Sequence, residues 1–263
     1  MSQMHGDVPP SGHPRIFGAM QYGLGRIPSP KDPRDWPVKR LTAMIEAGEA
    51  LPVAWDCPVV LNQGSTMRCV GFAWAAFKAC AQKDAPKDPA ITNAEGHRIY
   101  KECKKLEGDP TGEEGAFLRS GAKVLKAEGL IDAYAFGTFE ETEHWCQTYG
   151  PVVMGTNWYH GMRYPDSKGI VTLSGAVDGG HAWLRTGDKQ GPADNQGHNS
   201  WNGWGDKGKF YISNEDLYRL MDEGGEGIMA VRLIKRPTKP SGHQCFFAKA
   251  WRRAKARNQG GNK

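Results

Sequence analysis

The sequence predicts an α+β fold built as two unlike lobes, and three observations carry that expectation. Apolar residues recur at helical spacing before about residue 137. Short β-prone runs punctuated by glycine follow it. The 263 residues are 39% apolar and 24% charged, enough for a sizeable core.

Residues 1–37 hold seven of the seventeen prolines and read as an extended arm with little that packs as helix or strand. VKRLTAMIEAG then sets Val38, Leu41, Met44 and Ile45 on one face, a short amphipathic helix over 38–47 stopped at Gly48. Residues 1–50 therefore form one segment, a proline-rich arm with a short helix. Residues 51–136 form a helical lobe, with helices expected over 69–82, about 93–106 and about 115–128. Residues 137–235 form a β-rich lobe, with strands expected in PVVMGT, GIVTL, HAWLRTG, KFYIS and IMAVRLI. Residues 236–263 form a basic tail.

The net charge of +5 is unevenly placed. From Gly227 to Lys263 there are ten Lys or Arg and no acid, so the rest carries −5. FFAKAWRRAKA fits a short basic helix, and the tail reads mainly as solubilising, with nucleic acid or an anionic partner as its functional alternative. No apolar run of eighteen residues is present, so no membrane span is expected. The N-terminal stretch lacks a secretory apolar core, which points to a cytoplasmic or virion-associated protein. Cys57, Cys69, Cys80, Cys103, Cys146 and Cys245 show no C-x-x-C pair, so neither a metal site nor a disulfide framework is expected.

Cys69 opens the apolar run CVGFAWAAFKAC. A thiol is nucleophilic only as thiolate, which a helix N-terminus or a histidine partner favours. Gln63 lies six residues upstream, placed to bring its amide beside the Cys69 N–H and receive a developing oxyanion. In DGGHAWLRTG, His181 opens a strand behind Gly179 and Gly180. In HNSWNGWGDKGKFYIS, Asn199 precedes a Trp/Gly-rich bend, and its amide oxygen suits the orientation of an imidazole.

Together these stretches resemble the papain-like cysteine peptidases, in the order Cys, His, Asn. Asn62-Gln63-Gly64 with Cys69 matches one motif of the family. Asn199-Ser200-Trp201 with Gly203-Trp204-Gly205 and Gly208 matches another. The resemblance spans about residues 51–235. It implies a helical lobe facing a β lobe across a cleft, Cys69 as nucleophile, His181 as base and then acid, and Asn199 as its orienter. It also implies Gln63 in the oxyanion hole, Trp201 shielding the His–Asn bond, a peptide substrate, and no metal or organic cofactor. Gly180, Gly115 and Trp201 are candidate substrate contacts, Gly115 reading equally as a turn before a helix.

Thr66 and Val70 replace a half-cystine and an aromatic usual in the family, and Met67 and Arg68 stand where small residues are common. His181 follows Cys69 by only 112 residues. These departures suggest a disulfide-poor, trimmed member of bacterial or phage type. His198 is a rival base read as a strand-edge residue, and His160 reads as a surface or rim residue. The other cysteines, and Trp55, Trp74, Trp145, Trp158 and Trp183, read as packing. Four alternatives keep the fold: an amidase, a transglutaminase-like enzyme, a murein peptidase, or a non-catalytic binding or virion component. Whether residues 1–50 cover the site is open from sequence.

Overall fold

The computed structural model describes residues 22–42, 55–82, 90–112, 114–188 and 192–231. The far half of the 38–47 helix, the basic tail and Cys245 lie outside the described residues.

The first half is helical. Strand β1 (Arg26–Ile27) and helix α1 (Val38–Thr42) precede β2 (Trp55–Asp56) and α2 (Cys69–Ala79). Then come β3 (Ala81–Gln82), α3 (Asn93–Leu106), β4 (Ala116–Phe117) and α4 (Leu118–Ala127). Helix α2 is apolar nearly all round and buries nine of its eleven residues, Trp74 donating to the Leu118 carbonyl at 3.0 Å. The helices expected at 69–82, 93–106 and 115–128 are all present. The third begins at Leu118, because Ala116 and Phe117 are drawn into a strand.

The second half follows as β5 (Ala133–Gly137), α5 (Phe139–Thr148), β6 (Val152–Tyr159) and a 3-10 turn at His160–Arg163. Next are β7 (Val177–Asp188), β8 (Asn195–His198), the short α6 (Trp204–Lys207), β9 (Lys209–Ile212), α7 (Asn214–Asp222) and β10 (Glu226–Val231). Six strands form one antiparallel sheet in the order β5-β10-β6-β7-β8-β9.

Both faces of this sheet are buried. Val153, Ala182, Leu184 and Ile228 pack with α2, Phe72 and Leu125. Val152, Met154, Trp183 and Met229 turn the other way, toward Trp158, Phe210 and Leu217. Alternation along β6, β7 and β10 thus splits the core in two, which is why PVVMGT and IMAVRLI read as unbroken apolar runs.

Three expectations are corrected. GIVTL is no strand: only Ile170 makes an isolated bridge, to Tyr211. The strand-rich half contains α5 and α7. Each is capped by a hydroxyl, Thr138 accepting from the Glu141 amide at 3.3 Å and Ser213 from the Asp216 amide at 3.1 Å. The arm, expected to pack as nothing regular, contributes β1, which pairs in parallel with β4 through Arg26↔Ala116 and Ile27↔Phe117.

Candidate active site

Cys69 is the first residue of α2, where unpaired amides and the helix dipole favour a thiolate. The Ala182 amide donates to its sulfur, which sets the thiol against the β7 backbone beside His181. Cys69 and His181 are both fully buried.

His181 Nε2 lies 2.9 Å from Asn199 Oδ1, and that oxygen also accepts the Ser200 amide at 2.7 Å. An amide oxygen only accepts, so Nε2 carries the ring hydrogen and Nδ1 holds the lone pair. Nδ1 is buried and finds no hydrogen-bond partner among the described residues. The Trp201 and Trp158 rings flank the imidazole at 4.6 and 4.7 Å and keep water from the His–Asn bond.

Gln63 is oriented from across the cleft. Its backbone N–H donates to the Ser200 carbonyl at 2.9 Å, and its Oε1 accepts the Ser200 hydroxyl at 2.6 Å. Its Nε2 then has two hydrogens to place. One goes to the Thr66 carbonyl at 2.7 Å and the other to the Gly23 carbonyl at 3.0 Å. Ser200, unremarked in the sequence beyond its motif, is thus the residue that ties Gln63 to the Asn199 loop.

The Gly23 contact reveals what fills the site. Residues 23–27 run across Cys69, and the Gly25 amide donates to its sulfur. The Gly23 N–H donates to the Gly64 carbonyl at 3.1 Å, and the Gly25 carbonyl accepts the Ala116 N–H at 2.9 Å. The path is tight enough to require glycine on both sides. A Cβ on Gly23 would collide with the Thr66 carbonyl, and one on Gly25 with the Met67 carbonyl. From the walls, a Cβ on Gly115 would strike the Gly25 carbonyl, and one on Gly180 the Arg26 carbonyl. Gly115 and Gly180 therefore do line an extended chain in this structure, and that chain is the protein's own.

Side chains fasten the segment at both ends. Tyr22 stacks on Trp201 at 4.8 Å and 12°, while Leu24 joins the β-lobe core. Arg26 is buried and donates to Glu226 at 2.9 Å and to the Gly224 carbonyl at 2.9 Å, and the Ser29 amide donates to Glu226 at 2.8 Å. Further along, Arg119 pairs with Asp35 and donates to the Pro30 carbonyl. Beyond Tyr22 an open depression of about 540 Å³, lined by Asn62, Gly64, Trp201, Asn202 and Trp204, continues the groove.

Burial sets the electrostatics of this closed state. It pushes the Cys69 thiol up to about 11, against the pull of the Ala182, Gly25 and Val70 amides. It pushes His181 down to about 3, against the Asn199 hydrogen bond. Thiol and imidazole are therefore both neutral at pH 7.

Other sequence candidates fall elsewhere. Arg68 is engaged by His97 at 3.1 Å and lies over the Tyr100 ring, while Met67 is 41% exposed. His160 is exposed and meets Asp178. His198 ends β8, is buried, and faces Cys57 rather than Cys69. No group of three or more His, Cys, Asp or Glu side chains among the described residues is arranged to hold a metal ion. No described helix is long and apolar enough to cross a membrane.

Among solved structures, the chain is similar to xylellain, a cysteine protease from Xylella fastidiosa, with 19% identity and a TM-score of 0.60. The match covers 81% of this chain and 97% of that one. It is also similar to the Amb a 11 cysteine protease, a major ragweed pollen allergen, in its proform. There the identity is 15% and the TM-score 0.51, over 75% of this chain and 63% of that one. No protein-family model and no curated protein sequence matches. The chain has the papain-like cysteine protease fold, with helical and antiparallel-sheet halves meeting at this cleft.

Proposed function

We propose that the protein is a cysteine peptidase held latent by its own residues 22–30. The observation that carries this reading is the Gln63–Cys69–His181–Asn199 arrangement with Gly23-Leu24-Gly25-Arg26 laid through it.

The arm fills the place a substrate backbone would take, with the Gly25 amide beside the Cys69 sulfur. Its Gly23 carbonyl meanwhile takes the hydrogen of Gln63 that faces the cleft. Removing the arm rehydrates sulfur and imidazole, which lowers the thiol pKa and raises that of His181. Nδ1 then accepts the Cys69 proton, and the thiolate attacks a substrate carbonyl. The resulting oxyanion meets Gln63 Nε2–H and the Cys69 backbone N–H. The imidazolium, held by Asn199, passes its proton to the leaving amine, and water hydrolyses the acyl-enzyme with His181 as base.

The test compares hydrolysis of casein and of a fluorogenic peptide library by the full chain, Arg26→Ala, and Arg26→Ala with Cys69→Ala. Arg26→Ala should exceed the full chain by about tenfold or more, since breaking a buried ion pair costs several kcal/mol of closed-state stability. The double variant should be inactive. Cleavage that survives Cys69→Ala would overturn the mechanism.

A further inference from the structure

Strands β2 and β3 pair Trp55 with Gln82 and Asp56 with Ala81, so one step further along the antiparallel register sets Cys57 opposite Cys80. Directly opposed residues of such a pair have Cβ atoms about 4.5–5.5 Å apart, close to the roughly 3.5–4.5 Å of a disulfide. The two thiols lie close enough to perturb each other's ionisation, and the Cys57 thiol donates to the Ala76 carbonyl at 3.4 Å. His198 lies near enough to favour the charged form of Cys57, and its buried Nδ1 has no partner among the described residues. Cys80 is the half-buried member, whereas Cys57, Cys69, Cys103 and Cys146 are buried. The sequence reads both residues as packing, and only the strand pairing joins them.

The two sulfurs are unequal. Cys80, and then His198, lower the Cys57 pKa, while its neighbour Cys57 and burial raise that of Cys80. The two thiols thus perturb each other's ionisation in opposite directions, and Cys80 is the one beside solvent. Cys69, with backbone amides as its donors, is held neutral by burial.

We propose that Cys57 and Cys80 are a reversible redox couple, closed to a disulfide by a hydroperoxide. The Cys57 thiolate attacks one peroxide oxygen, the O–O bond breaks, and the other oxygen leaves as water after protonation, giving a sulfenic acid. Cys80 sulfur then attacks the Cys57 sulfur. The S–O bond breaks, and the hydroxide takes the Cys80 proton and departs as a second water. Two thiols thus lose two electrons and two protons to one hydrogen peroxide, and a dithiol reductant reverses the step. The bond links the strand that leads to Gln63 with the C-terminal end of the Cys69 helix, and replaces a pair of thiols near His198, the residue before Asn199. The couple forms whether or not Cys69 cleaves peptides.

Trypsin tests it on the full chain, because cleavage after Arg40, Arg68, Lys78 and Lys83 puts Cys57, Cys69 and Cys80 in separate peptides. The reduced protein is treated with one equivalent of hydrogen peroxide, quenched with catalase, alkylated in denaturant, digested and weighed. Peptide 41–68 joined to peptide 79–83 should appear about tenfold or more faster than any oxidation of Cys69, and should vanish after dithiothreitol. In Cys80→Ser, dimedone should instead trap Cys57 as its sulfenic adduct. Recovery of Cys57 and Cys80 fully alkylated while other thiols oxidise would overturn the proposal. So would equal yield of the linked peptide from protein unfolded in guanidinium. Because the linked peptide is read from the unsubstituted chain, the outcome stands even if Cys80→Ser does not fold.

Discussion

The Gln63 side-chain amide donates to the Gly23 carbonyl at 3.0 Å, so the arm occupies the hydrogen that an oxyanion would otherwise receive. Substitutions that expel the arm should therefore activate the protein even though they lie in a packed interface. Gly25→Ala places a methyl group into the Met67 carbonyl. It should raise peptide hydrolysis by the full chain by about tenfold or more, whereas such overpacking in a core is ordinarily only destabilising. Activity unchanged or lower in a folded Gly25→Ala would remove the arm from its assigned role.

Gln63 itself should matter to turnover more than to binding. In an Arg26→Ala background, Gln63→Ala should lower kcat by about 10²–10³-fold with a smaller change in KM, as loss of one oxyanion donor does. Ser200→Ala frees the Gln63 amide from its 2.6 Å tether and should cost less, about tenfold. Steady-state kinetics on one fluorogenic peptide gives both values.

Asn199 fixes the proton on His181 Nε2 and leaves Nδ1 as base. Asn199→Ala in the same background should reduce kcat by about 10²-fold and shift the pH–rate profile, because either tautomer becomes populated. A role confined to packing would lower stability and leave the profile of the folded fraction in place.

Acid should loosen the closed state through His181. Its folded pKa of about 3 lies below the ordinary 6.5, so the unfolded chain takes up the proton first as pH falls. The stability this neutral imidazole contributes is complete above pH 6.5 and is lost between 6.5 and 3, at a slope of up to about 1.4 kcal/mol per pH unit. Urea midpoints across that window should fall for the full chain and fall less for His181→Gln.

Much of the fold was legible because its signals are local. The apolar run after Cys69 and the cluster from Asn93 to Leu106 mark helices by composition and spacing alone. Gln63, Cys69, His181 and Asn199, picked from three separated stretches, lie in one place because α2 packs across β7 and the 199–201 loop lies against residues 61–63. Two helices in the strand-rich half escape a reading by strand propensity, although Thr138-x-x-Glu141 and Ser213-x-x-Asp216 are both capping signatures. GIVTL has β propensity but only Tyr211 to pair with, and propensity does not supply a partner strand. The arm was illegible for a different reason. Gly23 and Gly25 look like loop glycines until Thr66, Met67 and Gly115 close around them. Arg26 and Glu226, 200 positions apart, meet only once the sheet has formed.

The most direct measurement is the pH dependence of Cys69 alkylation, read by mass spectrometry of peptide 69–78, in the full chain and in Arg26→Ala. With the arm seated, labelling at pH 7 should be slow and should rise toward a midpoint of about 11. With the arm released, the midpoint should move by at least one unit to lower pH, and labelling at pH 7 should rise about tenfold or more. Superimposable profiles for the two proteins would contradict a latent peptidase closed by its own residues 22–30.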